Sequence, residues 1–326
     1  MKPVLLSGLI IALMSVSAEA RTIVVTNDDG LTSNLVALYR ALKQDGHDVI
    51  VSVPCTNQSG AGTAMTFTAP ATRLEKDCRS AAAKAGAITA GRMSRAGLPA
   101  EDFHYVDGTP TMAVLYGLDV VAQRRWGQDP ELVLSGPNEG QNVGAIVLGS
   151  GTVSAAQFAA QRGIPAIALS AGAKTVDDAG LAHPDSPRIA RLSADLVKKL
   201  DALAGSAPLL PSGMALNVNF PDKLAGAQWT PSRIGTFNLY RFRFVEDVAA
   251  SASAVSKAYA SQNGIKLPSS PGLSIDLASE EPSADQQSDE SIVIRKDIAI
   301  SPMRVGYDAT ISTGSDSWIM KVLSDR

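Results

Sequence analysis

The feature that most constrains the fold is an alternation of short apolar runs with segments of helical periodicity. The apolar runs are rich in β-branched residues, which is typical of buried strands. The predicted strands are 22–26, 48–53, 131–134, 165–169 and 216–220, and helices are predicted before Gly46 and at 111–125, 152–162 and 188–203. Strands joined by helices indicate a parallel sheet with helices on both faces, so the chain is predicted to be an α/β protein.

The C-terminal third has a different composition. Residues 239–245 alternate aromatic and arginine side chains, and 291–300 is strand-like. Between them, 249–290 is rich in Ser, Ala and Pro, and 267–294 carries acidic residues but no Lys or Arg. Such a run is typical of a solvated, partly ordered loop. The segment 78–101 is similarly predicted to be a surface excursion from the core.

The N-terminus has the pattern of a secretory signal. Lys2 precedes an apolar run from Val4 to Val16, and Ala18-Glu19-Ala20 forms a cleavage site before Arg21. A run of 13 residues is shorter than the roughly 20 that span a bilayer, which favours cleavage over an uncleaved anchor. The mature protein is therefore predicted to be exported, periplasmic or secreted, with no membrane segment.

Three regions are predicted: a signal peptide at 1–20, an α/β catalytic core at 21–235, and a C-terminal part of the same domain at 236–326. The last comprises an arm, the acidic loop and closing strands. Cys55 and Cys78 can form a disulfide in an oxidising compartment, but two separate buried thiols fit the sequence equally well.

Charge and histidine content exclude several function classes. Lys and Arg total 29 against 32 Asp and Glu, a balance that does not favour a nucleic-acid polymer as partner. None of the three histidines has a metal-binding spacing, and no G-x-S-x-G motif is present. Catalysis is therefore expected to depend on carboxylates, amides and hydroxyls.

Three polar, glycine-rich loops each follow a predicted strand. The first is Asn-Asp-Asp-Gly at 27–30 and the second is Asn-Gln-Ser-Gly-Ala-Gly at 57–62. The third runs over 135–144 and leads to Gly-Ser-Gly-Thr at 149–152, where a helix is predicted to begin. Because ligands bind at the carboxyl ends of parallel strands, these loops are predicted to converge on one site.

Each loop taken alone has a plain structural explanation. Asp28 and Asp29 can face one hard cation, but the motif alone favours an Asx turn followed by a Ser33 helix cap, since Asn, Asp and Gly dominate ordinary turns. Ser59 can supply an oxygen ligand to the same cation, or it can simply belong to a flexible loop.

The helix start around Gly151 suits an anion or is a simple N-cap. The convergence of the three loops favours a binding site over these structural explanations. Two carboxylates, a hydroxyl and an amide oxygen suit Mg²⁺ or Mn²⁺, while the helix start suits phosphate.

In their order along the chain these motifs resemble those of the SurE family of survival-protein 5′-nucleotidases. The matching segments are VVTNDDG (24–30), NQSGA (57–61), DGTP (107–110), ELVLSGPNEGQNVG (131–144), LGSGTVSAA (148–156), GIPAIALS (163–170), LNVNFP (216–221) and IAISP (298–302). The resemblance implies a Rossmann-like three-layer sandwich with a mainly parallel sheet. It also implies a C-terminal extended arm or hairpin through which subunits form a homodimer or homotetramer.

The resemblance further implies a metal-dependent 5′-nucleotidase that hydrolyses nucleoside monophosphates with one divalent cation, Mg²⁺ or Mn²⁺, per subunit. The implied metal ligands are Asp28, Asp29, Ser59 and Asn138, of which the two aspartates are catalytic. The implied phosphate-binding residues are Asn27, Asn142, Ser150, Gly151 and Thr152. The alternatives are a phosphatase for polyphosphate or for phosphomonoesters in general, and a non-catalytic phosphate- or nucleotide-binding protein.

The chain departs from the family pattern without touching the four metal ligands. Cys55-Thr56 and Gln58 replace basic residues common in the family, and Pro137 replaces a frequent aliphatic residue. The segments 77–103 and 249–290 are long insertions.

Overall fold

A computed structural model describes residues 20–67, 72–175, 180–262 and 264–306. Its strands are β1 (Thr22–Thr26), β2 (Asp48–Pro54), β3 (Ala90–Arg92), β4 (Phe103–Val106), β5 (Leu132–Glu139), β6 (Ala166–Ala171), β7 (Met214–Asn219), β8 (Trp229–Pro231), β9 (Tyr240–Val245), β10 (Gly272–Leu277) and β11 (Ile298–Arg304). Its α-helices are α1 (Ser33–Gln44), α2 (Pro110–Tyr116), α3 (Gln123–Trp126), α4 (Gly151–Gln161), α5 (Ser186–Ala204), α6 (Val248–Ser251), α7 (Ala254–Gln262) and α8 (Glu290–Val293). A π-helical stretch, Gly117–Ala122, joins α2 to α3.

Nine strands form the central sheet, in the order β3-β4-β2-β1-β5-β6-β7-β11-β8. The pairs from β4 through β7 are parallel, whereas β3 pairs antiparallel with β4 and β11 pairs antiparallel with β7. A separate antiparallel hairpin consists of β9 and β10. The predicted α/β class, with a mainly parallel sheet and an extended C-terminal hairpin, is confirmed.

Helices cover both faces of the sheet because adjacent strand residues point to opposite sides. Ile23 and Val25 pack in the cluster that includes residues of α1 and α5, whereas Val24 packs with residues of α2 and α4. All three valine and isoleucine side chains are fully buried. These two clusters produce the three-layer sandwich and fix the carboxyl ends of the parallel strands at one edge.

The core elements lie within a few residues of their predicted positions, but the cap of α1 was assigned wrongly. Thr32 caps this helix, since its side chain accepts a 3.2 Å hydrogen bond from the Leu35 backbone N–H. Ser33 is the first helical residue instead, and its hydroxyl lies 3.5 Å from the Thr175 carbonyl oxygen.

The predictions for the two insertions were wrong in part. The 78–101 segment contributes to the core, because Cys78, Ala82 and Met93 are buried in the cluster beneath α1. The Ser-, Ala- and Pro-rich segment 249–290 contains regular structure, namely α7 and β10, and 291–300 is divided between α8 and β11 rather than forming one strand.

The predicted signal lies outside the described residues except for Ala20. Within the described ranges, no helix combines the length and apolar character needed to cross a bilayer.

Candidate active site

The three polar loops meet at the carboxyl edge of the sheet. The Gln58 backbone N–H donates to the Asp28 carbonyl oxygen at 2.8 Å, which joins the second loop to the first. The Gly62 N–H donates to the Gly149 carbonyl oxygen at 3.1 Å, which joins the second loop to the start of α4. A Cβ atom at Gly151 would lie 2.6 Å from the Asp28 Cβ, so only glycine permits this approach. The predicted convergence of the loops is therefore observed.

Asp28 lies at the N-terminus of α4 and is buried. Its Oδ1 accepts a 2.6 Å hydrogen bond from the Thr152 hydroxyl, and its carboxylate also accepts from the backbone N–H groups of Gly151 and Thr152. Burial raises the pKa of Asp28, while these donors oppose the rise. In this structure the helix start therefore binds the Asp28 carboxylate.

Asp29 is also buried, and its two oxygens have different partners. Oδ1 accepts from the Asn57 side-chain amide at 3.2 Å, and Oδ2 accepts from the Glu139 backbone N–H at 2.8 Å. Burial, followed by the like charges of Glu139 and Asp28, raises the pKa of Asp29 well above its usual value. A cation placed between these carboxylates would relieve that repulsion.

Asn138 reaches the site because β5 is irregular there. The register between β5 and β6 shifts between Ser135 and Asn138, and Gly136 has a φ of 118°. A Cβ on Gly136 would lie 2.1 Å from the Leu169 carbonyl oxygen, so this bulge requires glycine. The Asn138 Nδ2 donates to the Gly140 carbonyl oxygen at 2.7 Å. Its Oδ1 is buried and has no hydrogen-bond partner in the described part of the chain.

Ser59 lies at the surface of the second loop. Its backbone N–H donates to Asn57 Oδ1 at 2.8 Å, and the same Asn57 side chain contacts Asp29, so one amide links two of the predicted ligands. The Ser59 side chain is hydrogen-bonded to the Tyr259 hydroxyl.

This set of donors fits a hard divalent cation. An unpartnered buried amide oxygen is costly unless something contacts it, and here it belongs to Asn138, the residue before the Glu139 N–H that binds Asp29. Oxygen-only donors of this kind suit Mg²⁺ or Mn²⁺. The described residues contain no group of three or more His, Cys, Asp or Glu arranged for a metal, so a site here depends on the amide and the hydroxyl as well.

The residues predicted to bind phosphate have protein partners in this structure. Ser150 is the N-cap of α4, since its hydroxyl accepts from the Val153 N–H at 3.1 Å. The Asn142 amide donates to the Ser170 hydroxyl at 2.9 Å and is buried. Asn27 Oδ1 accepts from the Gly30 N–H at 3.0 Å in an Asx-type turn, while its buried Nδ2 has no partner within the described ranges.

Three residues near the carboxylates were not predicted from the sequence. The Arg79 guanidinium donates to the Asp29 carbonyl oxygen at 2.8 Å and to Glu139 Oε2 at 2.7 Å. Tyr259 contacts Ser59 from α7. Glu139 directly follows the predicted ligand Asn138, and Arg79 directly follows Cys78. This adjacency in sequence was the only available indication that either residue lies near the site. No feature of the sequence indicated Tyr259.

Cys55 and Cys78 form a disulfide with an S–S distance of 2.04 Å. Of the two alternatives left open by the sequence, the structure contains the bridge. The bond attaches the end of β2 to the segment that carries Arg79. It therefore connects the insertion to the side chain that contacts Asp29 and Glu139.

Proteins of similar sequence are named as a phosphatase and as a nucleotidase. An acid phosphatase from Yarrowia lipolytica is 38% identical over 210 residues, which cover 61% of this chain and 56% of that protein. A 5′-nucleotidase SurE from Pseudoalteromonas atlantica is 35% identical over 201 residues, covering 61% of this chain and 65% of that protein. The chain thus spans less than two thirds of the length of either relative.

Comparison of the fold with a solved structure, and of the sequence with a family model, agrees with the similarity to these two relatives. The crystal structure of the SurE protein from Aquifex aeolicus superposes with a TM-score of 0.61 at 25% identity, covering 93% of this chain and all of that chain. The model of the family described as survival protein SurE matches residues 23–238, which contain every predicted metal and phosphate residue. The chain therefore belongs to the SurE family.

Proposed function

We propose that this protein is a divalent-metal-dependent phosphomonoesterase that hydrolyses nucleoside 5′-monophosphates to nucleoside and phosphate. The observation that carries the proposal is the buried Asp28–Asp29 pair, together with Asn138, whose amide oxygen is unpartnered in the described chain and whose neighbour in sequence, Glu139, donates its backbone N–H to Asp29. Pure binding of an anion would not require two buried carboxylates, since they repel phosphate. This disfavours the alternative of a non-catalytic phosphate-binding protein.

Asp28, Asp29, Asn138 and Ser59 would hold one Mg²⁺ or Mn²⁺. Such a cation supplies charge neutralisation of the phosphoryl oxygens and makes water easier to deprotonate. We propose that the carboxylate of Asp28 or Asp29 accepts the proton of the attacking water.

The start of α4 positions both the carboxylate and the substrate. The Thr152 hydroxyl and the first N–H groups of the helix hold Asp28. We propose that the phosphoryl group binds against the Ser150–Gly151–Thr152 segment, where the positive end of the helix dipole stabilises negative charge. Asn27, whose buried Nδ2 lacks a partner in the described chain, is the proposed additional donor.

The names of the relatives support the substrate class. The name 5′-nucleotidase SurE supports nucleoside monophosphates as the substrates. The name acid phosphatase supports a second candidate function, a phosphatase that accepts a broader range of monoesters. Incubating the purified protein with a panel of monophosphates under Mn²⁺, Mg²⁺ or EDTA tests both. Turnover that persists in EDTA, or none with any monoester, would overturn the proposal.

We also propose that the protein is a homodimer or homotetramer that associates through the β9–β10 hairpin. One face of the hairpin presents exposed apolar side chains, namely Phe242, Phe244, Leu273 and Leu277, of which Phe244 is 76% exposed. An apolar face of this kind is typical of an interaction surface. Light scattering of the wild type and of Phe244→Asp tests it, and a monomeric wild type would contradict it.

We propose finally that the protein is exported, to the periplasm or beyond. The Cys55–Cys78 disulfide supports this location, because structural disulfides persist mainly in oxidising compartments. Fractionation with N-terminal sequencing tests it, and a chain starting at Arg21 in the exported fraction is the expected result.

A further inference from the structure

The segment that the disulfide attaches to the end of β2 packs against the loop that carries the two aspartates. The Ser80 hydroxyl donates to the Leu31 carbonyl oxygen at 2.8 Å, and the Arg79 backbone N–H donates to the Cys55 carbonyl oxygen at 2.8 Å. A Cβ atom at Gly30 would lie 3.7 Å from the Cβ and Cδ atoms of Arg79, so this side chain packs against the Asp29–Gly30 turn. The insertion therefore supports the first polar loop from outside the sheet.

The Arg79 guanidinium joins the two segments of backbone that carry proposed metal ligands. One of its nitrogens donates to the Asp29 carbonyl oxygen at 2.8 Å, and another donates to Glu139 Oε2 at 2.7 Å. Glu139 directly follows Asn138, and its backbone N–H donates to Asp29 Oδ2 at 2.8 Å. The Arg79 and Glu139 side chains are only 11% and 4% exposed. Because water competes little there, this pair of charge-assisted contacts holds both segments more firmly than a surface ion pair would.

The charge of Arg79 also opposes repulsion within a cluster of carboxylates. The negative charges of Glu139 and Asp28 both act on Asp29, and the positive charge of Arg79 acts on it in the opposite sense. Carboxylates that are to share one cation must lie close together before the cation binds, and their mutual repulsion works against this arrangement. A guanidinium that is hydrogen-bonded to the Asp29 loop and to Glu139 reduces that cost.

We propose that Arg79 is a positioning residue of the metal site, which links the Asp29 loop to β5 through its two donors, and that the Cys55–Cys78 disulfide holds it there. The inference rests on the proposed metal-dependent function and adds to it a residue that acts on the cation through Asp29 and Glu139. Residues that orient ligands in this way typically contribute about 10- to 100-fold to metal affinity.

The first test is the affinity of the purified protein for Mn²⁺, measured by titration calorimetry. Arg79→Gln should bind Mn²⁺ at least about tenfold more weakly than the wild type, because the link between the two segments is lost. Arg79→Lys should resemble Arg79→Gln to within about threefold, because one ammonium nitrogen does not reproduce the planar fork of a guanidinium. Arg92→Gln is the matched control, since Arg92 is an exposed arginine on β3 of the same insertion, and it should bind Mn²⁺ normally. Wild-type affinity in either Arg79 variant would overturn the inference.

The second test asks whether the disulfide acts on the site through Arg79. Cys55→Ser/Cys78→Ser should also bind Mn²⁺ more weakly than the wild type. Adding Arg79→Gln to that variant should weaken binding little further, because both changes remove the same contact. Unchanged affinity in the Cys55→Ser/Cys78→Ser variant, or losses that add in full, would overturn the role proposed for the bridge.

Turnover at saturating Mn²⁺ separates positioning of the metal from other roles of Arg79. If Arg79 acts through metal affinity, excess Mn²⁺ should bring kcat/KM of Arg79→Gln for adenosine 5′-monophosphate to within about threefold of the wild type. A large loss that persists at saturating Mn²⁺ would mean that Arg79 contacts the substrate or only maintains the fold, and would overturn the inference.

The wild type distinguishes this inference from the proposed function. A wild type that binds Mn²⁺ but hydrolyses no monoester would overturn the proposed function, and the Mn²⁺ affinities of the variants would still decide the role of Arg79. A wild type that binds no Mn²⁺ would overturn both.

Discussion

Thr152 contacts a proposed metal ligand and not the proposed metal itself. It donates to Asp28 Oδ1 at 2.6 Å, and the carboxylate is buried among backbone donors of the same helix. Such an outer partner fixes the orientation of a ligand and favours its ionised form. The structure therefore couples the segment proposed to bind phosphate to the proposed metal ligand.

Replacing Thr152 with alanine should weaken metal binding. Loss of an outer-sphere partner typically costs about 10- to 100-fold in metal affinity, which titration calorimetry with Mn²⁺ would measure. Thr152→Ser keeps the hydroxyl and is the control that should bind Mn²⁺ nearly normally. Unchanged Mn²⁺ affinity with a lower kcat/KM would show that Thr152 acts on the phosphoryl group alone.

Asp29→Asn should stabilise the metal-free protein at neutral pH. The folded-state pKa of Asp29 is raised well above its usual value, so the unfolded chain ionises first and stability falls as pH rises from about 4 through the folded pKa. Asparagine cannot ionise, so Tm in EDTA should rise relative to the wild type at pH 7 and the difference should shrink toward pH 4.

The same variant should lose the increase in Tm that Mn²⁺ gives the wild type, together with metal-dependent turnover. Asp185→Asn is the control, because Asp185 is exposed and its side chain makes no cap hydrogen bond. A full Mn²⁺-induced shift in Asp29→Asn would contradict the ligand assignment.

At the scale of elements, the disulfide holds an insertion against the core. Closing a loop of 23 residues stabilises a fold by about 3 kcal/mol through the entropy of the unfolded chain. The Cys55→Ser/Cys78→Ser variant should therefore unfold at lower urea concentration than the oxidised wild type. The reduced wild type should match the variant, and coincident unfolding curves for oxidised and reduced protein would contradict the expected contribution.

The sequence predicted the elements of the core well and those of the insertions poorly. Strands such as β1 and β2 are buried at every residue but the first, so continuous apolar runs marked their positions within a residue. The helix α7 and the strand β10 are short, serine-rich and half exposed, and they depend on packing against each other. The composition of these two elements therefore resembled that of a loop, and the sequence did not predict them.

The residues of the candidate site divide in the same way, into those near a sequence motif, which could be predicted, and those on an insertion, which could not. Motif order pointed to Asp28 and Asp29, on the loop that follows β1, and to Asn138, near the end of β5. The contact of Arg79 with the Asp29 loop spans 50 positions, and it exists because of the disulfide and the fold of the insertion. No local pattern carries such a contact.

At the scale of the whole molecule, Glu290 connects distant parts of the chain. It is fully buried and accepts from the Gly144 N–H at 3.2 Å, and from the Asn217 amide and the Ser301 hydroxyl at 2.9 Å each. Burial raises the pKa of Glu290 from 4.5 to about 7, although these donors oppose the rise. The C-terminal strands thus attach to the core through a carboxyl group that titrates near neutrality.

Stability in EDTA should therefore decrease as pH rises through this range. The unfolded chain releases the Glu290 proton near pH 4.5 and the folded protein near pH 7, so about 3 kcal/mol of stability should be lost between them. Glu290→Gln cannot titrate, and urea unfolding at pH 5 and pH 8 should show a smaller difference for it than for the wild type. Glu101→Gln, an exposed site, should keep the wild-type dependence, and equal dependence in all three proteins would contradict the assignment.

The place of β11 determines when the sheet can be completed during synthesis. Strand β8 has β11 as its partner, pairing Trp229 with Ile298, and β11 lies between β8 and β7. Until residues 298–304 have left the ribosome, the nascent chain presents the open edge of β7 to other polypeptides, and an open edge is a template for aggregation. Residues 220–297 separate β7 from β11, so this edge stays open while the whole hairpin segment is being synthesised, and a chaperone bound there in that interval would protect the nascent chain.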